Sequence, residues 1–399
     1  VIVAGNEDQA VRDSQEHWRQ VRRFLNAQRH QLAGSVQHLY PAELRVAGTP
    51  LLARPEWRPA APVPLEQVTL SWEPGSPGHG VDGTGPESAG VRPLREPGQR
   101  FGCYAAALGA LDRPGLFENR TCYRVLQAKA APDAASLHFA QGRFFDLINT
   151  CEAVAHEYAA AVLARGGSNT STDGEGPAWA DLPLRSLIGD PTDLPRRPAM
   201  VAVCTLVLRA DPASGEATMI LHWRDPARVA SGGGMYQVAP VGVFQPSDDA
   251  EWNRANDFSL WRCMVRELSE ELLGRGEDYH SDIAPIDYQN WPLHAGLAAA
   301  RRSGALRVYW LGLGIDPLTM AADMLTVAVF DAGLFDATFA SLVGANAEGH
   351  LVPGDGDAAV GVAFRLANIE RFTSAEPMQP AGAALLRKAW QHRDVLLRG

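Results

Sequence analysis

The chain has 399 residues, 46% of them apolar and 21% charged, with a formal net charge of −10. That length exceeds one ordinary core and predicts two or three domains. The acidic balance argues against broad attraction to a phosphate backbone, so nucleic acid is not an expected partner.

No uninterrupted apolar run reaches the roughly 18 residues that read as a membrane-spanning helix, so no membrane is expected either. The opening "VIVAGNEDQAVRDSQEHW" lacks a basic region followed by an apolar stretch, and no secretory signal is expected there. Five cysteines, Cys103, Cys122, Cys151, Cys204 and Cys263, are scattered without a CxxC pair. They read as buried reduced thiols and point to the cytoplasm.

The first predicted element is a helix over "SQEHWRQVRRFLNAQRHQLAGSVQHLY". Trp18, Val21, Leu25, Leu32, Val36 and Leu39 fall near helical spacing, with Arg19, Arg22, Arg23 and Arg29 between them. Such a helix packs on its own protein or on a twin copy, which makes a homo-oligomer through this helix one expectation. The second helix and short turn of a helix-turn-helix are missing. Pro-rich text follows, ending in the exposed loop "EPGSPGHGVDGTGPESAG". Residues 1–80 thus read as an N-terminal helix and a Pro-rich arm.

Residues 81–195 read as a small α+β region. In it "LHFAQGRFFDLINTCEAVAHEYAAAVLARGG" predicts a strand, a Gly turn and a helix stopped by Gly166 and Gly167. A polar linker is expected near 166–183. The His156-Glu157 pair lacks the second His of an HExxH zinc helix.

Residues 196–399 alternate strands with helices, which argues an α/β layered domain. "AMVAVCTLVLRADPASGEATMILHWRD" predicts a hairpin around "DPASGE", and "GGGMYQVAPVGVFQPS" a strand and loop. "DFSLWRCMVRELSEELLG" is the clearest helix, with Asp257 placed to accept its first amides and Gly274 to end it. "LRVYWLGLGID" and "MLTVAVFD" read as further strands and "PAGAALLRKAWQHRDVLLR" as a closing helix. The glycines of "SGGGMY" are not followed by Lys-Ser or Lys-Thr and predict a loop, not a phosphate cradle.

At about 100° per residue, Glu267, Glu270 and Glu271 share an arc of about 100° on that clearest helix. Val265, Leu268 and Leu272, with Trp261 and Phe258, occupy the opposite, packing side. Acidic residues at this spacing are ordinary on a solvated helix. Crowded carboxylates repel, however, and become favourable where hard divalent cations sit among them.

"RELSEELLG" resembles the core of the Nudix box, R-E-U-x-E-E-x-G-U with U a bulky apolar residue. Arg266, Glu267, Leu268, Glu270 and Glu271 match in register, and "YQVAPVGVFQPS" resembles the strand and loop that enter the box, with Gly242 in place of a box glycine. Gln245 and Ser247 stand where that loop carries Glu and Gly, "DDAEWNRAND" adds about ten residues, and Leu273 holds the box glycine's place. More broadly, residues 196–399 are similar to Nudix-like C-terminal domains of a group of actinobacterial proteins, some of them labelled regulators.

The resemblance implies an α/β/α sandwich and a Mg²⁺- or Mn²⁺-dependent hydrolase of a diphosphate-containing, nucleoside diphosphate-like small molecule. Glu267, Glu270 and Glu271 would be ligands, Arg266 would hold one of these carboxylates, and the Gly242 carbonyl would add a ligand. Asp316, Asp323 and Asp331 are candidates to complete the shell. The alternative is a catalytically degenerate, ligand-sensing regulatory protein. His222, Trp223, Arg224 and Arg228 in "LHWRDPAR" are candidates to stack on and pair with the ligand, and Gln245 is a further candidate contact. The inserted segment with Trp252 and Arg254 is expected to fold over the carboxylates as a lid.

Overall fold

The computed structural model describes residues 2–75, 78, 80–115, 117–167, 176–225, 233–345, 349–354 and 360–398, with side chains from Glu7 onward. Its centre is the β-branched run Val201–Ala210, which lies parallel to Ala322–Asp331, with Thr205 opposite Thr326. Leu306–Ile315 pairs antiparallel on the far side of Ala322–Asp331. All three strands are buried almost without interruption, as strands covered on both faces must be. The fold is α/β, as the alternation of strands and helices in the sequence predicts.

The expected hairpin forms: Ala217–Met219 returns antiparallel to Val201–Ala210, and Asp211 accepts the Ala213 amide in the turn between them. Val241–Val243 pairs with the first half of Val201–Ala210. A smaller sheet joins Met235–Val238, Leu221–Arg224 and Gly349–Leu351. The glycine-rich loop before it, with Arg228, falls partly within 226–232, outside the described residues.

The N-terminal half is built onto this body. Val63–Pro64, in the Pro-rich arm, adds an edge strand beside Leu306–Ile315. A separate sheet joins Val68–Trp72, Ala135–Arg143 and Thr121–Ala130. It is stitched to the C-terminal half where the Tyr123 amide donates to the Phe244 carbonyl at 3.0 Å and the Val125 amide to the Ala199 carbonyl at 2.9 Å. One contiguous apolar core therefore runs from Trp18 to Leu396. Gly142, expected in a turn, lies inside its strand, where a Cβ would meet the Met200 sulfur at 2.7 Å. The chain then enters the helical segment directly at Phe144.

The first helix, Ile2–Val36, is longer than its apolar spacing suggested, and Gln28 departs from helical geometry inside it. Its stripe of Trp18, Val21, Leu25, Leu32 and Val36 is buried, packed against the helix Ala153–Ala164 of the same chain. The surface that suited a twin copy is thus already covered.

Two of the arginines expected between the apolar positions are not on a solvated face. Arg22 and Arg29 each reach the Glu152 carboxylate at 2.7 Å, and all three are buried. Burial alone would raise the Glu152 pKa, but the two guanidinium groups hold it down to about 2. Nearby, His156 shares a 3.1 Å hydrogen bond with the Tyr104 hydroxyl and stacks on Trp18. Burial pushes its pKa down to about 3, a neutral core histidine. The Glu157 carboxylate accepts the Leu184 and Arg185 amides. No described helix is long and apolar enough to cross a membrane.

Removing one member of a buried ion cluster strands the others. Glu152→Ala is expected to cost about 3–5 kcal/mol at pH 7 in urea denaturation, whereas Glu16→Ala, which removes an exposed pair with Arg23, is expected to leave the midpoint nearly unchanged. The folded Glu152 pKa lies below its ordinary 4.5, so its stabilisation is complete above that value and is lost as pH falls toward 2. The gap between wild type and Glu152→Ala must therefore narrow in acid.

Candidate carboxylate site

The helix Leu260–Glu267 starts at Ser259, whose hydroxyl accepts the Arg262 amide at 3.4 Å. Asp257, expected to cap this helix, is used elsewhere. Val265, Leu268 and Leu272 are buried, as their shared side requires, and Gly274 leaves the helix at φ +64°. Between them Leu268–Leu272 forms a π-type turn, wider than an α-turn. Such a turn changes the angular spacing behind the expected 100° arc, and the three carboxylates end in three different surroundings.

The Glu267 carboxyl lies against Gly242: a Cβ at that position would sit 1.9 Å from the carboxyl carbon. Glycine is needed here because any side chain would evict the carboxylate. Glu271 accepts the Val241 amide at 2.8 Å, so Glu267 and Glu271 both face the Val241–Val243 strand. Glu270 instead accepts the Tyr279 hydroxyl at 2.7 Å. Among the described residues no protein donor bonds to the Glu267 carboxylate.

Burial, with Glu270 and Glu271 nearby, drives the Glu267 pKa well above the usual carboxylate range. Burial also raises Glu270 to about 7, with Tyr279 pulling the other way. The donor set suits a hard divalent cation chemically, and Glu267 is the member left without a protein partner. Geometrically the set is open. Among the described residues no three His, Cys, Asp or Glu side chains converge on a point that would hold an ion.

Arg266 does not hold any of these carboxylates. It donates to the Gln245 carbonyl at 2.7 Å and the Tyr288 hydroxyl at 3.0 Å, and lies 3.4 Å from the Asp257 carboxylate. Asp257 in turn accepts the Ser247 amide and hydroxyl and the Tyr288 hydroxyl. Arg266 is therefore a buried clamp on the loop before the helix. The Gln245 side chain turns to Cys122 instead of the carboxylates. Sequence reasoning missed Tyr279 and Tyr288, although both stand in "EDYHSDIAPIDYQNW" directly after the box-like segment. It also missed Arg120, from the N-terminal half, which donates to the Ser247 carbonyl at 2.5 Å and pairs with Glu277 at 3.3 Å.

The insertion forms the short helix Glu251–Asn256. Trp252, 45% exposed, donates its indole N–H to the Ser281 carbonyl at 3.0 Å. Arg254 reaches Gln141 and lies over the Trp72 ring. Neither side chain is directed at the carboxylates, so the segment braces neighbouring loops where a lid was expected. His222 is buried in its strand opposite Gln237 and Leu351. Arg224 ends that strand opposite Met235.

Of the three later acids, Asp323 lies nearest the site. It pairs with Ala202, the residue that Val243 faces from the other side, and it accepts the Cys204 thiol at 3.4 Å. Burial raises its pKa to about 7. Asp316 accepts the Leu318 and Thr319 amides, and Asp331 sits at the opposite end of its strand, facing Ala210.

No protein-family model matches the chain, and no curated protein matches it.

The site geometry separates two kinds of residue. Asp257→Ala leaves the buried Arg266 uncompensated and is expected to cost about 3–5 kcal/mol in urea denaturation without divalent ions. Glu267→Gln relieves like-charge crowding and is expected to leave stability unchanged or higher. A loss at Glu267 as large as that at Asp257 would make Glu267 structural.

Proposed function

We propose that residues 196–399 are a Nudix-like domain that hydrolyses a diphosphate linkage in a nucleoside diphosphate-like small molecule with the help of Mg²⁺ or Mn²⁺. The observation that carries the reading is Glu267: a carboxylate crowded by two others, seated against Gly242, with no hydrogen-bond donor of its own among the described residues. Crowding like charges is costly, and a bound cation would relieve that cost.

Glu267 and Glu271, beside the Gly242 backbone, are the groups that would hold the ion. A bound divalent cation supplies charge neutralisation on phosphate oxygens and a more acidic water. Glu270, oriented by Tyr279, takes a proton from the attacking water. The new bond joins water oxygen to phosphorus, the bridging P–O bond breaks, and its electron pair leaves with the departing phosphate. Arg266 positions the loop without touching the reacting atoms.

A second reading has its own support. Glu270 and Glu271 already have protein partners, and Gln245 and Ser247 replace the loop's acidic and glycine positions. Arg120 ties the N-terminal half to this loop. That arrangement suits a domain that binds the same ligand intact and reports occupancy to residues 1–195.

Phosphate or phosphomonoester release from a panel of nucleoside diphosphate derivatives, with Mg²⁺ or Mn²⁺, separates the two. Hydrolysis predicts turnover that Glu270→Gln/Glu271→Gln lowers by about 100-fold or more. Equal inertness of wild type and variant, with calorimetry showing a ligand that stays intact for hours, supports sensing instead. Equal inertness with no binding ends both.

A further inference from the structure

Beyond Tyr279, the loop after the carboxylate segment opens into a cleft of about 480 Å³ lined chiefly by Tyr279, Ile283, Pro285, Ile286 and Trp291. That volume lies within the range of small-molecule sites. Ile283 is 75% exposed, the most exposed large apolar side chain among the described residues. Scattered surface apolar groups need no explanation, but this one stands at the edge of an open, shallow and mostly apolar depression. The rings of Tyr279 and Trp291 meet edge to face at 5.6 Å and 67°.

The loop is also anchored at Ser281. Trp252 and the buried Asn253 both donate to the Ser281 carbonyl, and His280 turns the chain beside it at φ +51°. The inserted helix thus braces a cleft wall. Tyr279 belongs to both places, since its ring lines the cleft and its hydroxyl holds Glu270.

We infer that this cleft is the subsite for the flat ring of the ligand, a purine-sized aromatic group whose diphosphate lies at Glu267, Glu270 and Glu271. The inference rests on the carboxylate reading above. A ligand spanning both places has one anionic end and one planar apolar end. Its ring packs against Tyr279 and Trp291, with Ile283 closing the outer side.

Calorimetry on the full chain with Mg²⁺ tests this, using pyrophosphate, ADP and adenosine as probes. The subsite predicts that ADP binds at least tenfold more tightly than pyrophosphate. Ile283→Glu and Ile283→Ser, both at an exposed position, should remove that advantage and leave pyrophosphate binding unchanged. Equal affinities for ADP and pyrophosphate, or an advantage untouched by both variants, overturn the subsite while the carboxylate reading stands. If pyrophosphate fails to bind, the carboxylate reading fails, and adenosine decides the cleft. Adenosine binding weakened by Ile283→Glu supports it, and its absence overturns it.

Discussion

The candidate site depends on one buried ion pair. Arg266 and Asp257 are almost fully excluded from solvent, and between them they fix two separate loops. Arg266 takes the Gln245 carbonyl, Asp257 takes Ser247, and Tyr288 bridges the two. A buried pair is stable only when its remaining hydrogen-bonding capacity is filled, and here the loop before the helix and the loop after it fill it. The strand that carries Gly242, the carboxylate helix and the cleft wall are held in one frame as a result.

That frame explains why the carboxylates are left with so little. With Arg266 committed to the loop, no guanidinium among the described residues hydrogen-bonds to Glu267 or Glu270. Two of them borrow neutral donors, Tyr279 and the Val241 amide, and the third has none. The arrangement sacrifices local electrostatic comfort for a group of oxygens beside a glycine strand, the kind of local cost that functional sites carry.

Much of the fold was legible because it leaves a local pattern. The β-branched runs of Val201–Ala210 and Ala322–Asp331, and the apolar side of Val265, Leu268 and Leu272, write their burial into short windows of sequence. Partnerships across long separations write nothing local. Arg22 and Arg29 look like surface charges until Glu152, more than a hundred residues away, is brought to them. Asp257 looks like a helix cap because the competing Arg266 and Ser247 contacts appear only in three dimensions. The π-type turn and the docking of Trp252 on Ser281 are likewise set by tertiary packing.

The most direct measurement of the central claim is the binding of Mg²⁺ or Mn²⁺ itself, followed by calorimetry on wild type and Glu267→Gln protein with no phosphate ligand present. The account predicts one saturable site in wild type, weakened at least tenfold by Glu267→Gln, with the variant as stably folded as its parent. Absence of saturable binding in wild type, or equal binding by the two proteins, would contradict the assignment of Glu267 as a cation ligand.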